Sequence, residues 1–340
     1  MGRDLKSIRL SAVLVVACFA IGCGDSPVGP TGPGAGPLIA CPATQSVPAT
    51  GLMTTLNYPS PMVSGGVAPV SISCVPPGGS SFPIGTSKVT CFATDAQQRT
   101  SSCSFSVMVQ AAPMLSSTRF MAFGDSITYG VLAPCPSVTS ALFDPQREFA
   151  LLMASVNIPA SYPTKLTSLL ASRYVTQSPV VLNEGLPGEA IQQGVTRLPG
   201  VLTQDTPEVL LLQEGVNNIN SRNPAVIPVV VDGLRTMIRD ARGRGIRVML
   251  GTLLPERPGS CRAGGASLIA PANDQIRALA ATEGADLVDL YQDFINMTDT
   301  LLGEDGLHPT EAGYQQMAQT FFGVIQQRVE AAPFMSPSRR

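Results

Sequence analysis

Residues 119–130 read RFMAFGDSITYG. An apolar run bounded by turn residues is the pattern of a strand buried on both faces, and Gly124-Asp125-Ser126 is where that strand must turn. Four further runs of the same kind follow: PVVLN (179–183), EVLLLQEG (208–215), IRVMLGTL (246–253) and DLVDL (286–290). Helical patterns alternate with them, in YPTKLTSLLASRY, VVVDGLRTMIRDARGRG, PANDQIRALAATEG and PTEAGYQQMAQTFFGVIQQRV. Strand–helix alternation predicts an α/β domain over 118–332, with a parallel sheet covered on both faces. In such sheets a ligand binds beyond the C-terminal ends of the strands.

Ser126 lies at such an end. A Gly-Asp-Ser tripeptide alone says little, since composition puts one by chance in about one chain in ten. A second copy, Gly24-Asp25-Ser26, sits in a Gly/Pro-rich stretch that cannot form a strand. Serine becomes a nucleophile only when a base takes its proton and a third group orients that base. The chain holds one histidine, His308, in DGLHPTEAGY (305–314), three residues after Asp305 and just before a helix. A lone histidine is most often a surface or satisfied core residue. Here Asp305 can accept from one ring nitrogen while the other faces Ser126. Oxyanion donors are expected at the same edge: the Ser126 N–H, Gly188 in NEGLPGE (183–189) and Asn217 in EGVNNIN (214–220).

Four such features at successive strand ends, in this order, resemble the SGNH (GDSL) hydrolase superfamily. The resemblance implies a flavodoxin-like three-layer α/β/α sandwich and a Ser126–His308–Asp305 triad that works without a metal or other cofactor. It also implies an oxyanion hole formed by the Ser126 and Gly188 N–H groups and the Asn217 amide. The third block departs from the family's G-x-N-D, because Asn218 occupies the aspartate's place. No G-x-S-x-G is present, which excludes the ordinary α/β-hydrolase elbow by pattern.

Residues 39–110 read differently. TTLNY, VSISC, SKVTCFA and SFSVMVQ are strand-like, and SGG, PPGGS and DAQQ are turn clusters between them. Short strands over this length predict a small β-sandwich. The cysteines at 41, 74, 91 and 103 allow three pairings, of which Cys41–Cys103 joining the ends and Cys74–Cys91 stapling adjacent strands is favoured. CPA (41–43), YPSPMVSGG (58–66), CVPPGGSSFPIGTSKVTCFATDA (74–96) and CSFSV (103–107) resemble the HYR (hyalin repeat) family of Ig-like domains. That resemblance implies an extracellular spacer or adhesion module with a surface ligand of its own.

The start of the chain suggests export. Arg3, Lys6 and Arg9 precede an apolar run from Leu10 to Ile21, broken only by Ser11; it is too short to span a bilayer but suits a signal-peptide core. Ala20-Ile21-Gly22-Cys23 resembles a bacterial lipoprotein signal, which implies cleavage after residue 22 and acylation of Cys23 as a membrane anchor. An ordinary secretory signal is the other reading. Residues 23–38 read as a tether, 111–117 as a linker and 333–340 as a tail. Export fits the six cysteines beyond the leader, an even number. Two of them, Cys135 and Cys261, both follow strand ends, so a disulfide at the rim of the site is expected. Cys135 belongs to an insertion over about 131–160, read either as a wall of the acyl pocket or as a helix on the sheet edge.

Composition sets the outer bounds. With 44% hydrophobic residues a core can be buried; a net charge of −2 without basic runs argues against nucleic acid. A single histidine and no C-x-x-C argue against metal or thiol-redox chemistry. The expected activity is that of an exported serine esterase, leaning to short-acyl (acetyl) esters of carbohydrates. The alternatives are a lipase, lysophospholipase or thioesterase of the same superfamily, or a non-catalytic surface adhesion protein.

Overall fold

The computed structural model describes residues 34–132, 135 and 158–331. The signal peptide, Cys23, the first Gly-Asp-Ser, the tail and nearly all of the 131–160 insertion lie outside the described residues. Two compact units are formed, one from residues 34–43, 58–78 and 89–105, the other from 44–57, 79–88 and 106 onward.

The first eight strands are β1 (Pro37–Ala40), β2 (Gln45–Pro48), β3 (Met53–Leu56), β4 (Met62–Gly65), β5 (Ser71–Val75), β6 (Ser80–Pro83), β7 (Gly85–Thr94) and β8 (Thr100–Gln110). They form a four-stranded sheet in the order β2-β8-β7-β5 and two ribbons, β1-β4 and β3-β6. Alternation along the long strands sets one face inward: Val89, Cys91 and Ala93 on β7, and Phe105, Val107 and Val109 on β8, are buried. A domain this small buries little, and disulfides supplement its core. Cys41–Cys103 is closed, and Cys74–Cys91 links directly opposed positions of the antiparallel pair β5–β7. The turn between β7 and β8 is organised by buried Asp95. Its carboxylate accepts from the Gln97 and Arg99 N–H groups at 3.0 Å, from the Val67 N–H at 3.1 Å, and from the Arg99 guanidinium. Burial alone would raise this carboxyl, but Arg99 and the three backbone donors outweigh it and hold it down at about 2.

The α/β part contains a five-stranded parallel sheet: β9 (Arg119–Gly124), β10 (Val180–Gly185), β11 (Val209–Gln213), β12 (Arg247–Gly251) and β13 (Asp286–Val288). Their order is β10-β9-β11-β12-β13, the flavodoxin-like arrangement. Three strands have neighbours on both sides, β9, β11 and β12; they are the most apolar, and β11 is buried throughout. The helices are α1 (Ser126–Tyr129), α2 (Tyr162–Arg173), α3 (Ile191–Asp205), α4 (Val216–Ile219), α5 (Val226–Gly243), α6 (Ala266–Glu283), α7 (Leu290–Phe294), α8 (Thr298–Leu301) and α9 (Glu311–Arg328). Helices α2 and α9 pack together, α3 packs on α5, and α5 on α6, giving helical layers that flank the sheet.

Register then decides where the chemistry falls. Gly124 at the end of β9 lies beside Gly185 of β10 and Gln213 of β11. Three neighbouring strands therefore end level, and Ser126, Gly188 and Asn217 follow those ends by two, three and four residues. The sheet edge predicted to hold the site holds all three.

Candidate active site

Ser126 opens the short helix α1. Asp125 caps that helix, its Oδ1 accepting from the Ile127 N–H at 2.9 Å. The Ser126 Oγ lies 2.8 Å from His308 Nε2, and His308 Nδ1 lies 2.6 Å from Asp305 Oδ2. A carboxylate only accepts, so the Nδ1 nitrogen carries the proton and Nε2 is left to accept from the serine. Asp305 is fixed by its other oxygen, which accepts from the Leu307 and His308 N–H groups, each at 3.0 Å. All three side chains are nearly enclosed: Asp305 is 0%, His308 2% and Ser126 4% exposed. Burial pushes Asp305 up, but the His308 hydrogen bond and charge and the two backbone donors outweigh it, leaving the carboxyl below its usual value. It is therefore ionised wherever the imidazole can act as a base.

The loops that should hold an oxyanion meet beside this pair. Gly188 has φ +80°, a conformation that glycine holds at little cost. Asn217 donates from Nδ2 to the Glu189 carbonyl at 2.8 Å, which sets its amide against the Gly188 loop with one further hydrogen to offer. The Leu186 N–H reaches the Gly124 carbonyl at 2.8 Å and ties the same loop to the end of β9. Asn218, the departure from the family pattern, has a defined task. Helix α3 starts after Ala190, which has no side-chain acceptor; Asn218 Oδ1 instead accepts from the Ile191 N–H at 2.8 Å, and its Nδ2 donates to Gln192 Oε1 at 3.0 Å. An aspartate could accept that bond too.

Sequence reasoning missed a layer of acids at this edge. Asp125, Glu189 and Glu214 are all buried, each next to or within a few residues of Ser126, Gly188 or Asn217. Arg197 binds Glu189 at 2.7 and 2.6 Å and stands 4.0 Å over the Phe123 ring. Burial is the main force on the other two; the Glu189 charge adds to it for Asp125, and the Asp125 and Glu189 charges add to it for Glu214. Both are held well above the usual carboxylate range, and Asp125 reaches about 7 despite the bond from Ile127. The only signal in the sequence was position: Gly-Asp-Ser and Gly-Glu each set an acid against a site residue, and Glu214 stands three residues before Asn217. Cys135 and Cys261 are joined in a disulfide. Among the described residues, no group of three or more His, Cys, Asp or Glu side chains is placed to hold a metal ion.

A serine, an imidazole and a carboxylate bonded in series at the C-terminal edge of a flavodoxin-like sheet define a serine hydrolase. The GDSL-like Lipase/Acylhydrolase family model matches residues 122–316, more than half of the chain, and the chain belongs to that family. It is thus a serine hydrolase acting on carboxylic esters. The HYR domain model matches residues 35–109. Esterase TesA of Pseudomonas aeruginosa is 24% identical over 147 residues, covering 43% of this chain and 69% of that protein. The crystal structure of a lipase/acylhydrolase from Enterococcus faecalis shares the fold with a TM-score of 0.51 at 22% identity, over 65% of this chain and 98% of that one.

Proposed function

We infer that the chain is an exported esterase that removes short acyl groups, acetyl above all, from carbohydrate esters through an acyl-enzyme. The observation that carries the catalytic reading is the bonded series Ser126 Oγ–His308 Nε2, His308 Nδ1–Asp305 Oδ2. Ser126 attacks the ester carbonyl carbon while its proton passes to His308 Nε2. The oxyanion is held by the Ser126 and Gly188 N–H groups and the free hydrogen of the Asn217 amide. His308 then gives its proton to the departing alkoxide and the acyl-enzyme remains. Water, activated by the same nitrogen, attacks that acyl group and regenerates the serine. Asp305 stays ionised throughout and stabilises the imidazolium.

The enclosure of Ser126, 4% exposed, supports a short acyl group. Support for export comes from the leader and from the six cysteines past it, joined in three disulfides. Anchorage at Cys23 would present the enzyme at the cell surface, with the HYR domain as its spacer.

The test is a series of p-nitrophenyl esters from acetate to palmitate, with an acetylated polysaccharide and an acyl thioester alongside. Highest kcat/KM on acetate, with acetate released from the polysaccharide, is the expected result. A maximum at long chains would make the enzyme a lipase or lysophospholipase, and a preference for the thioester a thioesterase. No turnover on any of these by folded protein would favour the adhesion reading.

A further inference from the structure

The segment joining β12 to α6, residues 252–265, is bonded to the turn that carries Asp305 and His308. The Arg257 N–H donates to the Gly306 carbonyl at 2.9 Å, and Arg257 Nη2 donates to the Gly303 carbonyl at 2.5 Å. The Arg262 N–H donates to the Asp305 carbonyl at 3.0 Å. Arg262 Nε stands 3.9 Å from Asp305 Oδ2, the same oxygen that receives His308 Nδ1. Gly306 has φ +75°, and a Cβ there would lie 2.3 Å from the Ser260 Cβ, so loop and turn meet with no room for a side chain. The ends of the segment are drawn together by Glu256, whose Oε2 accepts from the Gly265 N–H at 2.8 Å. Between the two arginines sits Cys261, bonded to Cys135 of the chain that leaves Ser126.

We propose that residues 252–265 form a clamp on the acid–base turn, with Arg262 as the positioning residue of the Asp305–His308 pair and the Cys135–Cys261 disulfide as its fastening. The clamp rests on the reading of Ser126, His308 and Asp305 as the reacting set. Its bonds run to the turn that carries Asp305 and His308. It acts by placing the imidazole, and a misplacement of 1 Å in a reacting pair costs about 100-fold in rate. Arg262 also acts through charge. Asp305 favours the imidazolium and the guanidinium beside it opposes that form; Ser126 Oγ meets the ring at Nε2, and buried Tyr314 stands in the field of Asp125 and Asp305. Removing the guanidinium therefore moves the acid limb of the pH profile upward.

The experiment measures kcat and KM for p-nitrophenyl acetate against pH in the full chain, for wild type, Arg262→Gln, Arg262→Lys and the Cys135→Ser/Cys261→Ser double variant. Ser126→Ala is the reference. Arg262→Gln is expected to lower kcat about 10-fold with KM within about twofold, and to raise the acid limb, through lost placement and lost charge. Arg262→Lys restores most of both. The double cysteine variant, which leaves Cys41–Cys103 and Cys74–Cys91 intact, lowers kcat in the same direction. A folded Arg262→Gln enzyme with wild-type kcat and an unmoved acid limb overturns the clamp, and a double variant with wild-type kcat removes the disulfide from it. If Arg262→Gln fails to fold, Arg262→Lys decides alone: an acid limb and kcat kept near wild type support the clamp, and failure of the lysine to preserve the acid limb is refutation. Turnover surviving Ser126→Ala is a different result and strikes the triad itself.

Discussion

The substitution Asn218→Ala separates decay at the third block from reuse of its side chain. Ala190 cannot cap helix α3, and Asn218 supplies the missing acceptor to the Ile191 N–H at 2.8 Å. Loss of a helix cap costs about 1 kcal/mol. The second bond, to Gln192 at 3.0 Å, is exposed and adds about 0.5 kcal/mol, for a total of about 1.5 kcal/mol. Helix α3 begins three residues after Gly188, so the same loss loosens the oxyanion loop, and kcat should fall about 10-fold through that misplacement. Asn218→Asp keeps the acceptor and puts a negative charge at the N-terminus of a helix, worth about 0.3–1 kcal/mol. The Gln192 amide can turn to donate to it. The expected outcome is stability equal to or above wild type and kcat within about threefold, since the loop stays in place. Urea unfolding followed by helical circular dichroism gives the stabilities, and p-nitrophenyl acetate the rates. An aspartate variant that loses as much as the alanine variant would refute the capping account, as would an alanine variant indistinguishable from wild type.

Other perturbations reach other parts of the account. Asn217→Ala removes both an oxyanion donor and the bond to the Glu189 carbonyl, and should lower kcat about 10²–10³-fold; an effect on KM alone would place Asn217 outside the transition state. Activity should fall at acid pH as His308 takes up a proton, so a flat profile from about pH 5 to 8 would contradict its role as base. Glu256 is raised from 4.5 to about 7, chiefly by burial, so the native state binds its proton more tightly than the unfolded chain. Its stabilising contribution is complete below 4.5 and lost as pH rises through 7. Thermal scans should therefore show the Tm of Glu256→Gln gaining on wild type between those values, and a constant difference would be the contrary result. Asp95 is the opposite case, lowered from 3.8 to about 2, so its contribution is present above 3.8 and lost as pH falls through 2. Asp95→Asn should lose Tm relative to wild type at pH 5 but not at pH 2, and an equal deficit at both would assign the effect to shape instead of charge.

The strands of the parallel sheet were legible because burial on both faces writes an uninterrupted apolar run, and the candidate triad because Ser126 stands at the end of such a run while the chain's one histidine, three residues after Asp305, stands just before the last helix. Helix α3 was not. Gly194, Pro199 and Gly200 interrupt its pattern against helix propensity, yet the helix forms, packed on α5. Strands β1, β2, β4 and β6 are four residues each, too short for a two-residue alternation to show. The acid layer was invisible for another reason. Asp125, Glu189 and Glu214 are far apart in the chain, and only the level ends of β9, β10 and β11 make them neighbours. The bonds between the 252–265 loop and the Asp305 turn were hidden in the same way, except for the cysteine at their centre.

The central claim is that Ser126 and His308 act together on an ester. Expression of residues 24–340 and measurement of p-nitrophenyl acetate hydrolysis, with Ser126→Ala and His308→Ala beside wild type, tests it most directly. The account predicts turnover in wild type, and in either variant a loss that the two substitutions combined do not deepen, because the residues work as one unit. Full activity in either single variant would contradict it.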